Sequence, residues 1–305
     1  MGTDSTAGTD VDTRVLRYFV AVAQRLSFTQ AAKELFVSQP SLSRQIRQLE
    51  TRLGTVLFTR TTTEVRLTRA GEVLLNAASG HLTDWQHTVR LVRATAADDR
   101  KVLRVGFVAS GGGALSRRAR SHFARRHPDV TVEPKRFDWG GEPDALRQGL
   151  ADVAFLWLPA DTFGLRAEVV TTEPRWVAMA HTHPLARSDS VTISDLRDEP
   201  LMWTPRAPAV WVDWWAVNPR PDGSAPVWGP QNDNVEEMLE QVATTDAVCI
   251  GPESMAFYYS HPDLTWRPVT DIDPLRIAVA WPDDDTVNPL VPDFVRTVRK
   301  LAAHP

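Results

Sequence analysis

The residues with the most chemical promise lie in one short run, VSQPSLSRQIRQLE, from Val37 to Glu50. Its polar side carries Ser38, Gln39, Ser41, Ser43, Arg44, Gln45, Arg47 and Gln48, and its one acid, Glu50, stands at the end. A solvated helix face ordinarily mixes charge signs. This one offers hydrogen-bond donors and acceptors with two arginines, a surface suited to reading other polar groups. Nucleic-acid base edges are one candidate, since each base pair shows its own donor and acceptor pattern in the major groove.

Elsewhere the chemistry is thinner. His181-Thr182-His183 brings two imidazoles together, but no nearby cysteine or acid cluster completes a metal set. Gly111-Gly112-Gly113 lacks the G-x-G-x-x-G spacing of a dinucleotide site. These glycines follow a predicted strand and open a predicted helix, so their amides can hold an anionic or polar ligand; a flexible turn is the other reading. The single Cys249 cannot form an internal disulfide and sits in an apolar run, AVCIG, as a buried strand residue. No set of residues asks to be an enzyme, and no cofactor is expected beyond a small molecule of unknown identity.

The elements around the first run are short and well marked. Residues Thr13 to Arg25 are helical by period. Ser27-Phe28-Thr29-Gln30 is a capping box that opens a second helix through Leu35 and Phe36. Ser38 caps a third, with Pro40 tolerated in its first turn. Leu42, Ile46, Leu49 and Leu53 form its buried stripe, and Gly54 ends it. Two short helices with a tight turn are the helix-turn-helix pattern. VLFTR and EVRLTR, around Thr61-Thr62-Thr63, read as a β-hairpin wing. From Ala70 to Ala97 the pattern is helical again. Leu75, Ala78, Leu82, Trp85, Val89 and Val92 alternate spacings of three and four, a heptad seam suited to pairing with another helix; packing on its own domain is the alternative. Ser79-Gly80 is a weak point in that helix.

Length and charge agree with a chain of several parts. A chain of 305 residues suggests two or three domains. Residues 11–70 hold ten Arg/Lys against four Asp/Glu, whereas residues 101–305 hold 21 against 28. A basic N-terminal unit on an acidic body suits a nucleic-acid reader with a separate second task. No apolar run approaches the ~20 residues that span a bilayer. The opening MGTDSTAGTD lacks the basic and apolar parts of a secretory signal, so a cytoplasmic location is expected. We expect a disordered tail over residues 1–10, a winged helix-turn-helix over 11–69, a linker helix over 70–97 and a hinge over 98–101. Beyond the hinge, strands and helices alternate in two runs, including VLRVGFV, VAFLWL, WVAMA, the helix ISDLRDE, AVCIG and RIAVAW. This argues for α/β lobes with parallel sheets. Lobe one is expected over about 102–170 plus a C-terminal helix at about 288–304, and lobe two over about 171–284.

The segment from Arg17 to Gly71 resembles the LysR-type transcriptional regulators. The run FTQAAKELFVSQPSLSRQIRQLETRLG, followed by LFTR and LTRAG, is highly specific to them. The remainder is similar in layout: LRVGF, a helix ending at HPDV, GLADVAF, and HPLARSDSVTISDLRDEPLM. The resemblance implies a winged helix-turn-helix, a dimerising linker helix and a two-lobed effector domain similar to periplasmic binding proteins. It implies a homodimer or homotetramer that binds double-stranded promoter DNA and whose grip changes with a small molecule. His183-Pro184-Leu185-Ala186 matches a turn of the family. The usual Leu-Leu-Pro after the first strand is replaced by Gly111 to Ser116. Ten of eleven tryptophans fall after residue 138, and the Pro- and Trp-rich stretch 205–230 follows no family pattern.

Roles follow from that frame. The third helix would enter the major groove, with Gln39 and Pro40 nearest the bases and Ser43 and Arg44 one turn on. Thr29, Ser38, Ser41 and Arg47 would hold phosphates, which set register. Arg60 and Arg66 in the wing suit phosphate or minor-groove contact. An effector cleft is expected at strand carboxyl ends, where Ser110, Gly111, Gly112, Thr204, Arg206, Asn232 and Asn234 would converge. Arg206 would favour a carboxylate, and Trp203, Trp211, Trp214 and Trp215 would add an aromatic wall. The tryptophans as lobe-two core or oligomer contact are the alternative. A two-lobed enzyme or transport-type binding protein with an added helical N-terminus is the competing function.

Overall fold

The computed structural model describes residues 10–60, 64–99, 101–284 and 287–304. Residues 1–9 of the expected tail lie outside the described residues. The described chain forms two compact units, one up to Thr88 and one from Val89.

Local capping starts the first unit. The Asp12 carboxylate accepts from the Arg14 amide at the head of α1, Thr13–Arg25. Ser27 Oγ accepts from the Gln30 amide and opens α2, Phe28–Glu34. Ser38 does the same for α3, Gln39–Leu53, which ends on Gly54 in the left-handed region at φ 65°. Only glycine enters that region without strain. Phe19, Phe28 and Phe58 meet in the core, with ring centroids 5.4 and 5.7 Å apart, over Leu42, Ile46 and Leu49. Leu53, expected on the buried stripe, is exposed. The wing is an antiparallel pair, β1 (Phe58–Arg60) and β2 (Val65–Leu67). Its tip, residues 61–63, lies outside the described residues.

Helix α4 runs from Arg69 to Asp99, straight through Ser79-Gly80. The expected hinge at 98–101 is therefore shorter: Asp98 and Asp99 are helical, and Arg100 lies outside the described residues.

The second unit holds two lobes. Strands β3 (Val102–Val108), β4 (Thr131–Phe137), β5 (Val153–Leu158) and β6 (Leu165–Glu173) belong to the first, with helices α5 (Gly113–Arg126) and α6 (Glu142–Arg147). The second contains β7 (Arg175–Ala180), β8 (Leu201–Trp203), α7 (Ala209–Ala216), β9 (Trp228–Gln231), α8 (Val235–Thr244), β10 (Cys249–Pro252), α9 (Glu253–Tyr258) and β11 (Leu264–Pro268). The chain then returns through β12 (Leu275–Pro282) and α10 (Val291–Ala302). The five-stranded sheet has the order β4-β3-β5-β12-β6.

Three expectations change here. The strand RIAVAW, placed in lobe two, is the core of β12 and lies between β5 and β6 in lobe one, with Val279 opposite Phe155 and Glu168. Ile277, Ala278, Val279 and Ala280 are fully buried, as a strand inside a sheet covered on both faces requires. The lobes therefore join at Pro174 and again over residues 269–274. The five-stranded sheet is mixed, with β3 parallel to β4 and β5 but β12 antiparallel to both neighbours; the β10-β7-β11 sheet is antiparallel, and among the described residues only the β8-β9 pair is wholly parallel. Finally, ISDLRDE is a series of turns. Asp195 takes the Thr192 amide and hydroxyl, and Asp271 takes the Ile193 amide. Such local side-chain bonds compete with a helix.

Candidate functional site

Leu42, Ile46 and Leu49 are wholly buried, so the opposite side of α3 faces solvent. Gln39, Pro40, Ser41, Arg44, Arg47 and Gln48 are all exposed there, and Thr29 is exposed in the first turn of α2. Ser38 Oγ is engaged with the Ser41 amide at 3.4 Å. Ser43, expected beside Arg44, is turned inward and 7% exposed. Its hydroxyl accepts from Gln39 Nε2 at 3.1 Å, so it orients Gln39 instead of facing a partner. The lone acid is also accounted for. One Glu50 oxygen accepts from the Leu57 and Phe58 amides at 2.9 and 3.2 Å, and the other lies 3.6 Å from Arg60. Glu50 thus ties α3 to the start of the wing. Arg60 lies over the Phe28 ring, 4.3 Å from its centroid, so part of its role is internal. Arg66 is exposed and bonded to Glu64 at 2.7 Å, which raises its already high pKa.

Along α4 the expected seam divides. Leu75 packs against the first unit's core, as the alternative reading had it, and Ala78 is buried. Leu82 and Val89 are half-buried, and Trp85 and Val92 are exposed by 52% and 64%. The apolar face left open therefore begins at Leu82.

In the second unit a cavity of about 50 Å³, widening into an open mouth, lies where the lobes meet. Trp139 and Trp157 line it from lobe one; Trp203, Thr204, Trp211, Trp215 and Asn232 line it from lobe two, with Met238, Cys249 and Met255. Neighbouring indoles stand 5.5–6.4 Å apart, centroid to centroid. Trp139 Nε1 donates to Asn232 Oδ1 at 2.7 Å, Asn232 Nδ2 donates to the Trp203 carbonyl, and Trp157 Nε1 donates to the Gly111 carbonyl at 2.7 Å. Burial pushes the Cys249 thiol up to about 12, so it stays protonated.

Of the seven residues expected to converge, only Thr204 and Asn232 line this cavity. Ser110 Oγ is 2.6 Å from Ser254 Oγ. Gly111 contributes through its carbonyl alone, and Gly112 is packed so close to Phe155 that a Cβ would stand 2.7 Å from the ring. Asn234 caps α8 by accepting from the Glu237 amide. Arg206 is paired with Asp233 at 2.9 Å, so the cation expected to attract a carboxylate already has one. Trp214 is outside the lining; it carries the buried Arg175 guanidinium 4.1 Å over its ring. Burial lowers that group to about 10. Trp139 and Trp157 were missed, although both lie near the carboxyl ends of β4 and β5, where the general rule for α/β sheets puts ligands.

Trp157 and Trp211 also border a second cleft that holds Glu142, Arg147, Asp161 and Pro208. Burial pushes the Glu142 carboxyl up to about 8. His183 forms part of a turn: Nδ1 accepts from the Leu185 amide and Nε2 lies 3.1 Å from Glu199. Among the described residues no cluster suits a metal ion, and no helix is long and apolar enough to cross a membrane.

Comparisons with known proteins fit both halves. Residues 13–72 match the family described as bacterial regulatory helix-turn-helix protein, lysR family, and residues 96–303 match the LysR substrate binding domain. The Hca operon transcriptional activator HcaR of Escherichia coli is 30% identical over 308 residues, covering 96% of this chain and 99% of its own. The HTH-type transcriptional regulator BenM of Acinetobacter baylyi is 29% identical over 300 residues, covering 96% and 97%. Among solved structures, full-length BenM aligns with a TM-score of 0.54 at 26% identity, over 96% of this chain and 97% of that one. Full-length CbnR complexed with its target DNA aligns at 0.54 and 25% identity, over 96% and 100%. Together the exposed, nearly acid-free α3, the wing and the two-lobed unit with its cavity have one account: this chain belongs to the LysR family of helix-turn-helix transcriptional regulators, DNA-binding proteins with an effector-binding domain.

Proposed function

We propose that the protein is a cytoplasmic regulator without enzymatic activity, and that it holds operator DNA as a homodimer or homotetramer. Its grip changes when a small molecule fills the tryptophan-lined cavity. The observation that carries the reading is the exposed face of α3: Gln39, Pro40, Ser41, Arg44 and Arg47 all stand clear of the core, and Glu50 is withdrawn into the wing. Gln39 and Arg44 read bases. Thr29, Ser38, Ser41, Arg47, Arg60 and Arg66 hold phosphates. Leu82, Trp85, Val89 and Val92 on α4 meet a second copy.

Binding to DNA upstream of its own gene, measured with base substitutions across each half-site, tests this. Arg44→Ala costs roughly 1–3 kcal/mol and relaxes preference at one base position per half-site. Arg47→Ala weakens all sequences alike and reduces the slope of log K against log salt by about 0.9 for each phosphate lost. An unchanged base preference in Arg44→Ala removes Arg44 from direct readout.

A further inference from the structure

We propose that the tryptophan-lined cavity takes an electrically neutral, flat aromatic molecule bearing a hydrogen-bond acceptor such as a carbonyl oxygen, and rejects carboxylates. The proposal rests on the reading of this cavity as the effector site.

Charge is the first argument. Among the described residues no Asp, Glu, Lys, Arg or His side chain lines the cavity. Two arginines of lobe two have partners of their own: Arg206 pairs with Asp233, and Arg175 donates to the Asp273 and Trp214 carbonyls. A carboxylate entering here would lose its water and gain no cation, and a buried charge without a partner is strongly disfavoured. The usual remedy of a guanidinium fork is absent from the lining.

The second argument is the inventory of donors and acceptors. Trp139 Nε1 and Trp157 Nε1 are used. Both the oxygen and the nitrogen of the Asn232 amide are engaged. Trp215 Nε1 is different: its ring lines the cavity and is 7% exposed, yet this N–H has no hydrogen-bond partner among the described residues. A buried donor left in this state costs free energy, and a ligand acceptor that reaches it by shifting the side chains that now cover it removes that cost. Thr204 points the same way. Its oxygen accepts from the Arg206 amide at 3.3 Å, and its hydroxyl hydrogen remains available to donate. The spare capacity is thus in donors, which asks for an acceptor on the ligand. Indole walls and the sulfur atoms of Met238, Met255 and Cys249 favour an apolar ring between them.

Calorimetric titration of the full chain with three molecules of nearly one shape tests this: acetophenone, benzoate and ethylbenzene. Acetophenone is expected to bind tightest and benzoate at least roughly tenfold more weakly. Trp215→Phe should weaken acetophenone by roughly fivefold, the loss of one neutral hydrogen bond, and leave ethylbenzene unchanged. Thr204→Val tests the second donor in the same way if Trp215→Phe does not fold. Arg206→Ala should leave all three affinities as they were. Benzoate binding as well as acetophenone overturns the proposal, and so does failure of both to bind up to their solubility limits. DNA affinity is measured in parallel. Acetophenone that fills the cavity without altering the DNA complex supports the ligand class and overturns its coupling to regulation.

Discussion

Glu50 offers the sharpest test of how the DNA-binding unit is held together. One of its carboxylate oxygens accepts both the Leu57 and the Phe58 amides, and the other faces Arg60 at 3.6 Å. Glu50→Ala removes the acceptor and leaves two partly buried N–H groups unpaired at the entry to β1. Each orphaned donor costs ~1–3 kcal/mol, so the loss of both is expected to cost roughly 2–6 kcal/mol in total. Glu50→Gln keeps a carbonyl oxygen for both amides and loses only the charge facing Arg60. That pair is partly exposed, so its loss is about 1 kcal/mol or less. Hydrogen exchange of the full chain reads the difference directly. Amides 57 and 58 should lose protection in Glu50→Ala and keep most of it in Glu50→Gln. DNA affinity should fall in the first variant, because the wing is no longer fixed to α3. Equal loss of protection in the two variants would refute the reasoning, since it would mean that the charge, not the acceptor, holds the wing.

Two further predictions concern the other elements. In α4, Leu82→Asp or Trp85→Asp places a charge in the open apolar face, so the dimer and specific DNA binding should be lost while the effector unit stays folded; sedimentation that shows an intact dimer for Leu82→Asp counts against this helix as the main interface. Glu142 shares its cleft with Asp144, Arg147 and Asp161, and burial raises its carboxyl from 4.5 to about 8. The folded chain therefore binds more protons than the unfolded chain between those values, so stability falls as pH rises through this window. Glu142→Gln should flatten that dependence and stabilise the effector unit by on the order of a few kcal/mol above about pH 8. Parallel melts at about pH 6 and about pH 9 that show the same change for wild type and variant would remove Glu142 as the source.

The residues themselves were enough for the three N-terminal helices, because their signals are local. Ser27, Ser38 and Gly54 set the ends of helices through bonds that reach only three or four positions along the chain. The apolar period of α3 put Arg44 and Arg47 outward without reference to anything distant. Even there the margin of the buried face was decided by neighbours: Ser43 lies between Leu42 and the rest of the stripe, and packing took it inside. Longer-range features had no such local signal. RIAVAW has the apolar continuity of an inner strand, but its sequence does not say which sheet it enters; pairing with β5 and β6 does. Arg206 reads as an open cation in the sequence because Asp233 is remote along the chain and adjacent only after folding. The cavity followed the same logic. The tryptophans were visible as a composition, but their sorting into Trp139, Trp157, Trp211 and Trp215 around one space, with Trp214 turned to Arg175, depends on two lobes meeting. Helix caps and period are fixed by the nearest few residues; strand partners, ion pairs and cavities are fixed by which distant surfaces exclude water from one another, and only the tertiary structure decides that.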